Sequence, residues 1–87
     1  MALDIIFKGS SFDDFLEWRK TDSIVFKKIS ELIEDTRRHP FDGKGKPEPL
    51  KHNLKGCWSR RITSEHRLVY KVTSESIEIV SCKYHYL

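Results

Sequence analysis

The hydrophobic residues of this sequence change their spacing at a segment rich in proline and glycine that spans residues 40–49. From residue 11 to this segment, apolar residues recur every three to four positions, which is typical of amphipathic α-helices. After it they alternate with polar residues, which is typical of β-strands with one buried face. A chain that places helices first and strands afterwards is expected to fold as a helical layer on an antiparallel sheet, because each layer buries the apolar side of the other.

Two helices and a short strand are predicted before the proline- and glycine-rich segment. Acidic residues in the first turn of the first helix are favoured there, because the N-terminus of a helix carries partial positive charge. Pro40 cannot continue the second helix, because proline lacks the backbone N–H donor. The predicted elements are a strand at residues 3–8, a helix from Ser10 or Ser11 to about Thr21, and a helix from Asp22 or Ser23 to about Arg38.

After the segment, short polar turns separate three predicted strands, at residues 58–63, 67–73 and 76–86. Strands joined by short turns pair antiparallel. The predicted fold class is therefore α+β, a small single domain over residues 1–87 with two N-terminal helices packed on one face of a mostly antiparallel sheet. The opposite face is left open for function. The last strand is polar near its end, so alternation leaves open whether His85 or Tyr86 faces the basic part of the chain.

The composition is that of a small globular protein. Apolar residues make up 38% of the chain and charged residues 33%, which argues against both disorder and a membrane span. Asp4 interrupts the apolar run near the N-terminus, so we predict no signal peptide, no membrane association and a cytoplasmic location. Cys57 and Cys82 lie far apart in no zinc-binding pattern, and the four histidines lack the spacing of metal ligands. We therefore predict free thiols, no metal and no cofactor.

The basic charge of the chain is concentrated in its middle. Residues 37–71 carry a net charge of +7, whereas residues 1–36 carry −3 and residues 72–87 carry −1. Such an asymmetry is typical of a surface that meets phosphate groups, although a basic surface can also bind an acidic protein.

One acidic residue stands in the middle of this basic part. Glu48 lies between Pro47 and Pro49, and each proline restricts the backbone around it. Cleavage of RNA without a metal needs a base for the 2′-hydroxyl, an acid for the 5′-oxygen and cations beside the phosphorus. The chain offers these groups in Glu48, in the terminal Tyr84-His85-Tyr86, and in a basic cluster of Lys46, Lys51, Arg60, Arg61 and Arg67.

Each of these residues also has a structural interpretation. An exposed Glu among lysines commonly forms surface salt bridges, a His near a terminus is commonly solvated, and arginines on a strand commonly form a solvated face. The residues by themselves therefore leave two functions open. One is an enzyme that cleaves RNA, and the other is a non-catalytic module that binds RNA or DNA through the basic surface.

A long run of the sequence resembles one known family. The motifs GKGKPEPLKHNL, WSRRIT and EHRLVY, within residues 29–72, together with the terminal YHY, are similar to the YoeB branch of the RelE superfamily. These proteins are toxins of bacterial type II toxin–antitoxin modules and cleave mRNA in the ribosomal A site. The resemblance implies a RelE/YoeB-like microbial RNase fold and a metal-independent endoribonuclease that inhibits translation.

The resemblance also implies roles for particular residues. Glu48 would be the general base and His85 the general acid, while Arg67 would stabilise phosphoryl charge and Tyr86 would orient the RNA. Lys51 and Arg61 fall on basic, RNA-binding positions close to the site. The implied partners are mRNA on the 70S ribosome, a cognate YefM-like antitoxin, a possible second copy of the chain in a homodimer, and operator DNA only through the antitoxin complex. The alternative is a non-catalytic RNA- or DNA-binding module regulated by an antitoxin.

Overall fold

The computed structural model describes residues 2–84, in which two helices cover one face of a five-stranded sheet. The strand order is β1-β5-β4-β3-β2. β1 pairs in parallel with β5, and all other neighbouring strands pair antiparallel. The elements are β1 (Asp4–Phe7), α1 (Ser11–Thr21), α2 (Ser23–Arg38), β2 (Glu48–Pro49), a 3-10 turn (His52–Leu54), β3 (Cys57–Arg61), β4 (Arg67–Val72) and β5 (Ser76–Ser81).

Local chemistry sets the helix boundaries, and both predicted helices are confirmed. The Asp22 side chain accepts hydrogen bonds of 3.2 Å from the backbone N–H groups of Ile24 and Val25, so it caps the start of α2. α2 ends at Arg38, just before Pro40. The described helices are too short and too polar to cross a membrane.

The core lies between the helices and the sheet. α2 contributes Ile29, Leu32 and Ile33, which pack on side chains of alternate residues of β4 and β5. This alternation defines the two faces of the sheet, because successive side chains of a strand point to opposite sides. The buried apolar residues of β4 and β5 on the helix-covered face are Leu68, Tyr70, Ile77 and Ile79.

The sheet differs from the prediction most in two places. Glu48 and Pro49, predicted as loop, form an edge strand opposite Ser59 and Trp58. Proline is tolerated there because an edge strand needs only one row of hydrogen bonds. The last strand, predicted to reach residue 86, ends at Ser81.

The early end of β5 follows from an irregularity in its pairing. Tyr70 lies opposite Ile79, but its neighbour Val69 lies opposite Ser81, so Val80 is an extra residue in β5. Such a bulge bends the strand away from its ladder. The chain then turns at Lys83 and Tyr84. His85 and Tyr86, the terminal pair predicted to belong to the site, lie outside the described residues.

Candidate active site

The strand register places three of the predicted site residues on the open face of the sheet. Glu48 lies opposite Ser59, and Arg61 lies opposite Arg67. Because Ser59 and Arg61 are two residues apart in β3, all of these side chains point to the same side. That side is opposite the helices, since Leu68, the neighbour of Arg67, belongs to the core.

The spacing of the strands sets the dimensions of this face. Directly opposed residues have Cβ atoms roughly 5 Å apart, so the two arginines are close neighbours. Two strand spacings separate β2 from β4, which puts the backbone of Glu48 roughly 10 Å across the sheet from β4. One exposed acidic residue and two directly opposed arginines thus lie on the same face of the sheet, within about two strand spacings of one another.

The backbone around Glu48 is held in an unusual conformation. Lys46, two residues earlier, has φ 53°, and His52, directly after Lys51, has φ 58°. Left-handed conformations of non-glycine residues are uncommon and concentrate at functional sites. Lys51 itself is extended and exposed, and it leads from β2 into the 3-10 turn. Its predicted role in binding RNA remains a prediction.

Arg67 is partly tied to its own hairpin. Its Nη1 donates hydrogen bonds of 2.7 Å to the Thr63 carbonyl and 3.1 Å to the His66 carbonyl. Its backbone N–H donates to the Tyr84 carbonyl at 3.1 Å. Tyr84 is the last described residue and directly precedes His85 in the sequence. This bond therefore places the residue before His85, the predicted general acid, next to the start of β4.

Arg60 does not belong to the basic cluster in which the sequence analysis placed it. Its side chain is fully buried on the helix-covered face, one pleat away from Arg61. An arginine has five N–H donors, and all five are used. They donate to Tyr70 Oη (3.2 Å), Asp35 Oδ2 (2.7 Å) and the carbonyls of Lys44 (3.0 Å), Asp42 (2.8 Å) and His39.

The buried arginine joins α2 to the loop that leads into β2. Asp35, on α2, accepts hydrogen bonds from Arg60 and from the Lys44 N–H (2.9 Å). Partial burial raises the pKa of the Asp35 carboxyl, but these hydrogen bonds and the charge of Arg60 outweigh that effect and hold it below its ordinary value. The Tyr70 hydroxyl adds a bond of 2.8 Å to the Pro40 carbonyl. The loop before Glu48 is thereby fixed at several points.

The basic surface continues past Arg61 into a groove between α2 and the same loop. This cavity has a volume of about 440 Å³. Its floor includes Leu32 and Gly45, and Glu31 is its single acid among the described residues. Its cations are Lys28, Lys44, Lys46 and Arg61.

Sequence reasoning overlooked Asp35 and His66. Asp35 directly precedes the buried Thr36 on the inner side of α2, and a carboxylate in such a place indicates a buried cationic partner. His66 shares strand parity with Leu68 and Tyr70, which indicates the covered face; its side chain is buried. The alternation of His66 with Leu68 and Tyr70 is visible in the sequence, whereas the burial beside Asp35 required the structure.

The cysteines are free, as predicted. Burial raises the pKa of the Cys82 thiol to about 12, with a further contribution from the charge of Asp14. A thiol with so high a pKa is a poor nucleophile. Within residues 2–84 no group of three or more His, Cys, Asp or Glu side chains is arranged to hold a metal ion.

Solved structures with this fold define the class of the protein. A YoeB dimer from Staphylococcus aureus superposes with a TM-score of 0.90 at 47% identity, and covers 99% of this chain and 100% of its own. The heterotetrameric YoeB-YefM toxin-antitoxin complex from the same species gives a TM-score of 0.88 at 47% identity over 99% of this chain and 100% of the other. The chain thus has the fold of the YoeB toxins.

Sequence comparison narrows the class to a family. Residues 7–86 match the model of the YoeB-like toxin of bacterial type II toxin-antitoxin systems. The toxin YoeB of Escherichia coli K12 is 63% identical over 84 residues, which cover 97% of this chain and 100% of that protein. The chain belongs to the YoeB toxin family, and the resemblance inferred from its motifs is confirmed.

Proposed function

We propose that this toxin is a ribosome-dependent endoribonuclease that cleaves mRNA in the ribosomal A site and so inhibits translation. The observation that carries the proposal is the placement of Glu48, Arg61 and Arg67 on one open face of a rigid sheet. An acid that can act as a base, beside cations that can hold a phosphate, is the arrangement required for attack by a ribose hydroxyl.

The chemistry assigns one step to each residue. Glu48 takes the proton of the 2′-hydroxyl, whose oxygen attacks the phosphorus, while Arg67 stabilises the added negative charge. His85 gives a proton to the 5′-oxygen as its bond to phosphorus breaks, and Tyr86 orients the RNA. The products are a 2′,3′-cyclic phosphate and a 5′-hydroxyl. Side chains supply every group in this scheme, so it proceeds without a metal.

The facing arginines favour an anionic substrate. Like charges on directly opposed strand residues repel each other and destabilise the pair. A phosphate between Arg61 and Arg67 relieves that repulsion, so binding of RNA recovers free energy that the unbound protein lacks. Lys51 adds a cation shortly after β2, and the groove adds further cations beside Arg61.

The partners follow from the same surface and from the relatives. We propose a cognate YefM-like antitoxin whose acidic or amphipathic segment covers the basic face, and operator DNA that is contacted only through that complex. A homodimer is proposed from the S. aureus dimer. The expected location is the cytoplasm, where ribosomes are found.

The proposal is tested by induction of the toxin without antitoxin, followed by mapping of mRNA 5′ ends on ribosomes. Wild-type toxin should give new ends within translated codons. Glu48→Gln should give none, because loss of a well-placed base lowers the rate by about 10²–10⁴. Glu75→Gln, the same change in the exposed turn before β5, should cleave like the wild type.

A second measurement separates cleavage from mere binding. His85→Gln toxin should still sediment with ribosomes while leaving mRNA intact. If wild-type toxin binds ribosomes and halts translation but produces no new 5′ ends, the non-catalytic binding module is correct and the nuclease proposal is wrong.

A further inference from the structure

The buried histidine between Glu65 and Arg67 makes a contact that the catalytic scheme does not use. His66 is 9% exposed, and its Nδ1 accepts a 2.7 Å hydrogen bond from the backbone N–H of Tyr84. A nitrogen that accepts such a bond carries no proton, so the ring N–H is on Nε2. The His66 side chain therefore holds the C-terminal segment at one point, by accepting a hydrogen bond from the Tyr84 backbone.

The backbone that His66 holds is strained. Tyr84 has φ 62°, in the left-handed region that non-glycine residues rarely adopt. Such a conformation persists only where its surroundings enforce it. Two bonds enforce it here: the N–H of Tyr84 donates to His66, and its carbonyl accepts from the Arg67 N–H at 3.1 Å.

The ring that makes this contact is fixed on several sides. Trp18 meets it edge-on, with ring centroids 4.8 Å apart. The His66 carbonyl accepts from the Ile62 N–H at 3.0 Å, which closes the β3–β4 hairpin. Trp18 also donates from Nε1 to the Cys82 carbonyl at 3.0 Å. α1, the hairpin and the end of β5 therefore converge on His66.

We propose that His66 is a positioning residue, which sets the direction in which the chain continues from Tyr84 towards His85 and Tyr86. His66 touches no RNA in this role and acts only through the Tyr84 backbone. The catalytic consequence rests on the proposed nuclease function, because it assumes that His85 is the acid. The structural claim, a bond from the Tyr84 N–H to Nδ1, stands independently of that function.

Two matched substitutions isolate the bond. In His66→Asn, the amide oxygen can occupy the place of Nδ1 and accept from Tyr84. In His66→Gln, the amide group reaches the place of Nε2 and leaves Tyr84 without its acceptor. We expect the Tyr84 amide to stay protected from hydrogen exchange in the wild type and His66→Asn, and to lose protection in His66→Gln.

Cleavage of ribosome-bound mRNA should follow the same order. His66→Gln should lower kcat by about 10²-fold, the effect of a misplacement of about 1 Å, with KM unchanged. His66→Asn should recover most of that loss. Equal kcat values in the two variants, together with a protected Tyr84 amide in His66→Gln, would overturn the proposal.

A further test uses the wild-type protein alone, so its result does not depend on whether a variant folds. The ¹⁵N chemical shifts of the His66 ring distinguish the two tautomers, and we expect Nε2 to carry the proton. A proton on Nδ1 would overturn the proposal whether or not the protein cleaves RNA. If the wild type cleaves nothing while Nδ1 is unprotonated and the Tyr84 amide is protected, the proposed nuclease function fails and the structural role of His66 stands.

Discussion

At the scale of single residues, Arg60 and Arg61 have opposite surroundings because the strand alternates its side chains. Arg60 points to the helices, where its five N–H groups donate to Asp35, to the Tyr70 hydroxyl and to three backbone carbonyls. Arg61 points to the open face and is exposed. A buried guanidinium is tolerated only with a full set of partners, since an unpaired buried charge is costly.

The first prediction compares these neighbours by the same substitution. Arg60→Met should lower the free energy of unfolding by about 3–5 kcal/mol, because it leaves Asp35 and several carbonyls without their donor. Arg61→Met should change it by less than about 0.5 kcal/mol. Urea unfolding measures both, and equal losses would contradict the burial of Arg60.

Arg61→Met should instead flatten the salt dependence of single-stranded RNA binding by about 0.7 in logarithmic slope.

The second prediction concerns the Cys82 thiol. Its pKa in the folded protein, about 12, is above the ordinary value of 9.0, so the folded state keeps a proton that the unfolded state loses. The resulting stabilisation is complete below pH 9 and is lost between pH 9 and 12, by up to about 1.4 kcal/mol per pH unit. Unfolding measured against pH should show this decline in the wild type and a shallower one in Cys82→Ala. Identical slopes would contradict a buried thiol.

At the scale of elements, the loop before β2 depends on a glycine that packs tightly. Gly45 has φ 81°, and a Cβ there would lie 3.0 Å from Leu32 Cδ2 and 3.2 Å from the Arg61 carbonyl oxygen. Its own carbonyl accepts the Arg61 N–H at 2.7 Å. The loop therefore packs directly on α2 and β3. This packing fixes the backbone that leads into Glu48.

The third prediction uses a second glycine as its control. Gly9 has φ 56°, but a Cβ added there would meet no described atom within 4 Å. Alanine at either glycine should cost about 1–2 kcal/mol of backbone strain, and Gly45→Ala should cost about 1–3 kcal/mol more through overlap. Thermal unfolding of the two variants measures the difference. Equal destabilisation would mean that the loop does not pack as described.

The elements that local chemistry governs are predictable from the sequence. Asp22 and Pro40 mark the ends of α2, and alternation marks β3, β4 and the start of β5. Pro47 and Pro49 predict a loop around Glu48 because proline normally excludes a strand, yet the edge position of β2 tolerates Pro49. The bulge at Val80 depends on pairing with β4, which no local pattern reveals. Arg60 lies in the basic middle of the chain, which suggests that it is exposed. However, it alternates in step with Trp58 and Ile62, which indicates the helix-covered face.

At the scale of the whole molecule, the fold places the main core and the proposed site on opposite faces of one sheet. The helix-covered face holds the core and the Arg60 cluster, and the open face holds Glu48, Arg61 and Arg67. The placement of these three residues needed the strand register, since Glu48 and Arg67 are 19 positions apart in the sequence. The roles of Glu48 and His85 as base and acid remain predictions.

The most direct test of these roles replaces the 5′-oxygen at the scissile bond of a ribosome-bound mRNA by sulfur. A thiolate leaves without a proton, because the pKa of a thiol, about 8.5, is far below that of an alcohol. Single-turnover cleavage of this RNA should be restored to near the wild-type rate in His85→Gln and should stay abolished in Glu48→Gln. Restoration of both variants, or of neither, would contradict the assignment of His85 as the acid and Glu48 as the base.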